Sequence, residues 1–138
     1  MENILDLKVG TMSRAGVVLE VSVEQRRDGA GKLSPKVILT VEGEDKLKYI
    51  VDSAWVERSG KGSESRGLWL RRDFNGQILH TSTVAEVLRH HSVDTLGGLI
   101  GREVTLHPKH NGFLAIVVTN AEITPRKAKG VGSNPPNA

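Results

Sequence analysis

Two stretches of alternating side chains, held apart by a glycine-containing loop, constrain this chain more than any other feature in it. Residues 14–25 place Val17, Leu19, Val21 and Val23 on one side and Val18, Glu20, Ser22 and Glu24 on the other. Period two with β-branched residues is the pattern of a half-buried strand, because successive side chains of a strand point to opposite faces. Residues 26–34 carry Asp28-Gly29 and Gly31, residue types that close a hairpin. Pro35 opens the return strand, where a missing N–H is tolerated. There Val37, Leu39 and Val41 alternate with Ile38, Thr40 and Glu42. A hairpin with one apolar face is at best marginal alone and needs more sheet or a helix against it.

The rest of the chain supplies such partners in short pieces. Fifteen glycines are spread over the 138 residues, which predicts many turns between short strands. Residues 1–13 read as a leading strand or a short lid, broken at Gly10. Residues 43–67 form a looser insert, with a short strand at 47–51 and a solvated loop at 59–67. Leu68, Trp69 and Leu70 begin a further strand, Asp73-Phe74-Asn75-Gly76 is a turn, and Ile78 and Leu79 return the chain. A helix is predicted over 82–91. Thr83-Val84-Ala85-Glu86 fits a capping box, and Val84, Val87, Leu88 and His91 share one face. Leu96, Leu99 and Ile100 suggest a short helical turn. Val104 and Leu106 make a strand that ends at Pro108, Asn111-Gly112 turns the chain, and residues 113–123 form a last long strand.

Strands with one helix before the last two suggest a small sheet that curls on itself, which protects its edges. The expected fold is mainly β: an OB-like five-stranded Greek-key barrel with the helix plugging one end. The expected organisation is one domain over 1–124, followed by a flexible basic tail over 125–138 that lacks the apolar residues to offset ordering entropy.

Composition narrows the chemistry. No stretch approaches the roughly 18 uninterrupted apolar residues of a membrane span. The first residues, Met-Glu-Asn-Ile-Leu-Asp-Leu-Lys, carry acids where a secretory signal has its basic segment. Zero cysteines exclude disulfides, thiolate metal sites and cysteine nucleophiles. The expected setting is a cytoplasm. Nineteen Lys and Arg against sixteen Asp and Glu leave a mildly basic chain of charge +3, which permits a polyanionic partner. No phosphate-binding loop or nucleophile elbow is present, and Asp73 and Asp94 stand apart from other acids, so the chain does not read as an enzyme. His107 and His110 have a spacing that can chelate, but no carboxylate lies beside them; no metal and no cofactor are expected. His91 reads as a packed residue at the helix C-terminus.

The segment at 77–119 resembles small phage-encoded OB-like proteins regarded as candidate single-stranded DNA binders. The resemblance is carried by the strand and helix of 79–88, by Leu99-Ile100-Gly101-Arg102-Glu103-Val104-Thr105-Leu106-His107-Pro108, and by Ala115-Ile116-Val117-Val118. The hairpin at 14–43 echoes it more weakly. Gly97-Gly98 replaces that family's acidic pair, Leu99 its Trp and His107 its Tyr. The resemblance implies an OB-like module acting in phage replication or recombination inside a bacterial host, and it carries over no catalytic residue.

Binding a single strand requires cations for phosphates and flat side chains for bases. Four of the five aromatic residues, Tyr49, Trp55, Trp69 and Phe74, fall within 49–74. Arg58, Lys61, Arg66, Arg71 and Arg72 are interleaved there, against Glu57 and Glu64 between 55 and 72. Trp55 and Trp69 are therefore the candidate stacking residues, and those cations the candidate phosphate contacts. Arg26, Arg27, Lys32 and Lys36 surround the first hairpin loop, which flanks the ligand groove in OB modules. Both indoles also have a packing role open to them: Trp69 lies between Leu68 and Leu70, and Trp55 could cover the barrel. A second functional reading is a module that binds a host protein complex through Trp55 and the 43–67 insert. The two readings differ in surroundings: cations around both indoles favour nucleic acid, and an apolar patch favours a protein. Unpaired edge strands leave a homo-oligomer open.

Overall fold

A computed structural model describes residues 4–6, 13–58, 60–109 and 111–119. The 125–138 tail, most of the 1–13 segment and His110 lie outside them. The protein is mainly β, with seven strands among the described residues: β1 (Arg14–Arg27), β2 (Leu33–Gly43), β3 (Lys48–Val51), β4 (Ser53–Arg58), β5 (Gly62–Gly67), β6 (Glu103–Pro108) and β7 (Leu114–Thr119). Among the described residues one α-helix, α1 (Thr83–His90), precedes the last two strands as expected; Ile4–Asp6 and Gly97–Leu99 form 3-10 turns, and the first of these, exposed, stands where 1–13 reads as a leading strand or lid.

The strands lie in the order β3-β2-β1-β6-β7-β4-β5. All neighbours are antiparallel except β4 and β7, which run parallel. The ladder itself is not closed, because β3 and β5 are its two ends. Yet β3 and β4 are successive lengths of chain separated only by Asp52. One bent strand therefore pairs with β2 through its first half and with β7 through its second, and the sheet wraps around a core. Residues 68–70 strap the gap: Val37 N donates to Leu68 O (2.8 Å), Leu70 N to Pro35 O (2.9 Å) and Leu68 N to Asp52 O (2.9 Å). This architecture is consistent with a small OB-like β fold.

The core follows from alternation. Val37, Leu39 and Val41 of β2, Val51 of β3, Ala54 and Val56 of β4, Leu106 of β6, and Leu114, Ile116 and Val118 of β7 all point inward. Burying each of these larger aliphatic side chains contributes about 1.5–3 kcal/mol. Val84, Val87 and Leu88 of α1 close one end of that core. The cap of α1 differs from expectation by one residue. Ser82, not Thr83, is the N-cap, its Oγ accepting from Ala85 N at 3.2 Å. Glu86 is thereby freed from a capping role, and its carboxylate meets Arg58 at 3.2 Å.

Two further expectations are corrected. The inward set of β1 is not Val17, Leu19, Val21 and Val23. The register shifts between Val18 and Glu20, so Leu19 is the extra residue of a β-bulge. Val18 is fully buried, whereas Leu19 and Val23 are exposed. The solvated loop expected over 59–67 is instead a hairpin, with β5 paired along its whole length to β4. Its Ser, Glu and Arg side chains are exposed, so backbone hydrogen bonds rather than apolar burial hold it.

Candidate nucleic-acid interface

Alternation fixes the direction of both indoles. Ala54 and Val56 are fully buried, so Trp55 between them points out of the sheet. Leu68 is buried, so Trp69 beside it points out as well. Both are half-buried, lying on the outer surface rather than in the core. Trp55 stacks on His107 of β6, ring centroids 4.5 Å apart and planes inclined by 27°. Trp69 lies over Gly67, where an added Cβ would come within 2.6 Å of its Nε1. Gly67 is in turn the cross-strand partner of Ser53, two residues before Trp55. The two indoles therefore share one face.

Cations gather between them at the bend of the β3–β4 strand. The Lys36 ammonium sits 3.3 Å from the Asp52 carboxylate and 4.6 Å from the Trp69 ring centroid, a cation–π contact. Arg26 reaches Asp52 at 3.8 Å and also holds Glu24 at 2.7 Å. Ser53 Oγ donates to Asp52 Oδ1 at 3.0 Å, and Lys109 Nζ donates to Ser53 Oγ at 2.8 Å. Three cations thus converge on one carboxylate. Burial works to raise the Asp52 carboxyl, but the Lys36 charge, the Ser53 hydroxyl and Lys109 outweigh it and hold it below the usual carboxylate range. Arg26 beside the β1–β2 loop and Lys109 in the turn between β6 and β7 flank this face.

The expected site residues fall into three groups. Arg26, Lys36, Trp55 and Trp69 come together on the face just described. Arg66 and Arg71 join Trp69 along a shallow concavity of about 450 Å³ whose other wall is Leu79, Thr81, Ser82 and Thr83. Arg66 is paired there with Glu64 at 2.6 Å. The remaining five are not brought to the face. Arg58 turns toward the core side and is bound to Glu86, which is only 7% exposed. Arg27 donates to Gly31 O in its own hairpin loop at 2.7 Å. Lys32 is exposed on that loop, Lys61 at the β4–β5 turn, and Arg72 beyond the strap, bridged to Ile78.

Three residues of the face, Asp52, His107 and Lys109, are not among the binding residues that the sequence predicts. Alternation gives a signal for the direction of the indoles, since each is flanked by aliphatic residues that belong to the core. Nothing local marks Asp52 or Lys109, which are linked through Ser53 because the parallel pairing of β4 and β7 brings the chain before β7 to the start of β4. Among the described residues, no cluster of three His, Asp or Glu side chains could hold a metal. No helix among them is long and apolar enough to cross a membrane.

What fold and face define together is a class: a small OB-like β protein with two outward indoles and a cationic cluster between them. In comparison with known proteins, no family model, curated protein or solved structure matches the chain.

Proposed function

We propose that this protein binds single-stranded nucleic acid, with DNA as the first candidate, on the outer face formed by β4, β6, β2 and the strap at 68–70. The observation that supports the reading is that Trp55 and Trp69 emerge on one face with Lys36, Arg26 and Lys109 gathered between them. Stacking on indoles is tolerant of base identity, and phosphate neutralisation tolerant of sequence, so binding of this kind is non-specific. Trp55 and Trp69 take bases. Lys36, Lys109 and Arg26 exchange Asp52 for phosphate oxygens, and Arg71 continues the track along the concavity beside Trp69. The action is binding alone, with no chemical step. A role in phage replication or recombination rests on the resemblance of the 77–119 segment and on nothing else.

The Lys36 ammonium over the Trp69 ring, with Lys109 bound to Ser53 two residues before Trp55, favours this reading over a host-protein anchor, for which Trp55 would sit in an apolar patch. The experiment is a titration of tryptophan fluorescence with an unstructured oligonucleotide. Quenching that weakens steeply with added salt supports the proposal, and quenching by a host protein with none by the oligonucleotide overturns it.

A further inference from the structure

β5 ends the sheet, so among the described residues one of its two edges has no strand paired to it. Exposed edges are normally blunted by Lys, Pro or a bulge, since they can pair with another chain. β5, Gly-Ser-Glu-Ser-Arg-Gly, contains neither Lys nor Pro, and its register with β4 is uninterrupted over six residues; its two charges, Glu64 and Arg66, are opposite in sign and paired with each other at 2.6 Å, so a second copy can satisfy both by exchanging the pair. Its charges are arranged about a centre. Glu64 and Arg66 flank Ser65 on one face, and both are about half exposed.

From that pattern we infer that β5 is a homodimer edge, which pairs antiparallel with β5 of a second copy about a two-fold axis at Ser65. Opposed residues of an antiparallel pair share a face and stand about 4.5–5.5 Å apart at Cβ. Centred on Ser65, the pairing sets Glu64 against the second copy's Arg66, and by symmetry Arg66 against the second copy's Glu64. Centring it one residue earlier would oppose two Glu64 side chains; one residue later, two Arg66 side chains. Like charges directly opposite are destabilising, so the sequence selects a single register.

The arrangement extends the face proposed above and rests on that reading for its purpose. Trp55 pairs with Ser65, so both share the outer face. Across β4, β5 and the second copy's β5 and β4, the two Trp55 indoles are three strand spacings apart, roughly 14 Å. The small side chains of Ser63 and Ser65 lie in the trough between them. A single strand can then lie across both copies, which raises avidity without any new contact.

The chain has no cysteine, so Ser65→Cys introduces a single thiol. Under mild oxidation of the full-length chain without nucleic acid, Ser65→Cys is expected to give a covalent dimer. Ser63→Cys, which faces the second copy's Gly67, is not. In the Ser65→Cys background, E64R opposes like charges and lowers the cross-linked fraction about tenfold, while E64R/R66E restores it. Equal cross-linking of the Ser63→Cys and Ser65→Cys proteins, or no rescue by the double exchange, overturns the inference. Oligonucleotide quenching by a Ser65→Cys protein that never cross-links overturns the dimer and leaves the binding reading standing. Cross-linking without quenching does the reverse.

Discussion

The Trp55 indole rests on the His107 imidazole, their centroids 4.5 Å apart and their planes 27° from parallel. Two flat rings from strands distant in sequence are therefore held in stacking geometry before any ligand arrives. A nucleobase adds a third ring to the same stack, and little side-chain freedom is lost when it does. Trp55→Ala removes the upper ring. Loss of one base-stacking contact costs about 1–3 kcal/mol, so affinity for an unstructured oligonucleotide should fall roughly fivefold or more. His107→Ala should cost less, because His107 supports the indole from beneath. A filter-binding series with both variants checks the order.

Asp52 competes with phosphate for Lys36, Arg26 and, through Ser53, Lys109. Asp52→Asn should therefore tighten oligonucleotide binding, with the slope of log affinity against log salt steeper by about one. The carboxyl is held below its usual range, so the stability it contributes is present at neutral pH. That contribution is lost as pH falls through its lowered value. Binding isotherms at several salt concentrations, compared between wild type and variant, read the first effect. Unchanged slope and unchanged affinity would remove Asp52 from the interface.

Much of this architecture is legible in the sequence, and the parts that are not share a physical cause. The β1–β2 hairpin, α1 and the last two strands show in local periodicity and turn residues. The bulge at Leu19 does not, since Val18 and Leu19 are both apolar and either phase of the alternation looks acceptable. β5 was hidden because its side chains are polar on both faces and its stability comes from backbone pairing with β4. The indoles were legible as candidates, and the cations only partly. Arg58 and Arg66 lie close to the indoles in sequence but are held by Glu86 and Glu64, whereas Lys109 is far in sequence and close in space.

Arg58 is the clearest case of a cation with a structural occupation. Its guanidinium meets the Glu86 carboxylate at 3.2 Å and ties β4 to α1. Arg58→Met leaves Glu86 buried without its partner. The expected cost is about 2–3 kcal/mol, below that of a fully buried pair because Arg58 stays partly in water. Arg58→Met/Glu86→Gln should recover part of that stability. Oligonucleotide affinity of the folded Arg58→Met protein should match wild type, and denaturant melts beside binding curves separate the two effects.

His91 follows the C-terminus of α1, with Nδ1 2.8 Å from Val87 O. Burial pushes its pKa below the ordinary histidine value, more than the Val87 carbonyl raises it, and the neighbouring His90 and Arg102 charges act in the same direction as burial. Folding therefore favours the neutral ring. Its stabilisation is complete above the unfolded pKa of about 6.5 and is lost as pH falls through the lowered folded value. Thermal melts from pH 8 to pH 5 should show Tm declining in the acid half of that range. His91→Gln should flatten the decline; an equally steep profile would place the titrating group elsewhere.

The most direct test of the whole account is the fluorescence titration of the full-length protein with an unstructured single-stranded oligonucleotide at low and at raised salt. The account predicts quenching of both indoles at low salt, an affinity that falls steeply as salt rises, and a reduced signal from Trp55→Ala and from Trp69→Ala alike. Indole emission that stays constant at micromolar protein and ~50 mM salt, conditions in which even non-specific binders respond, would contradict it.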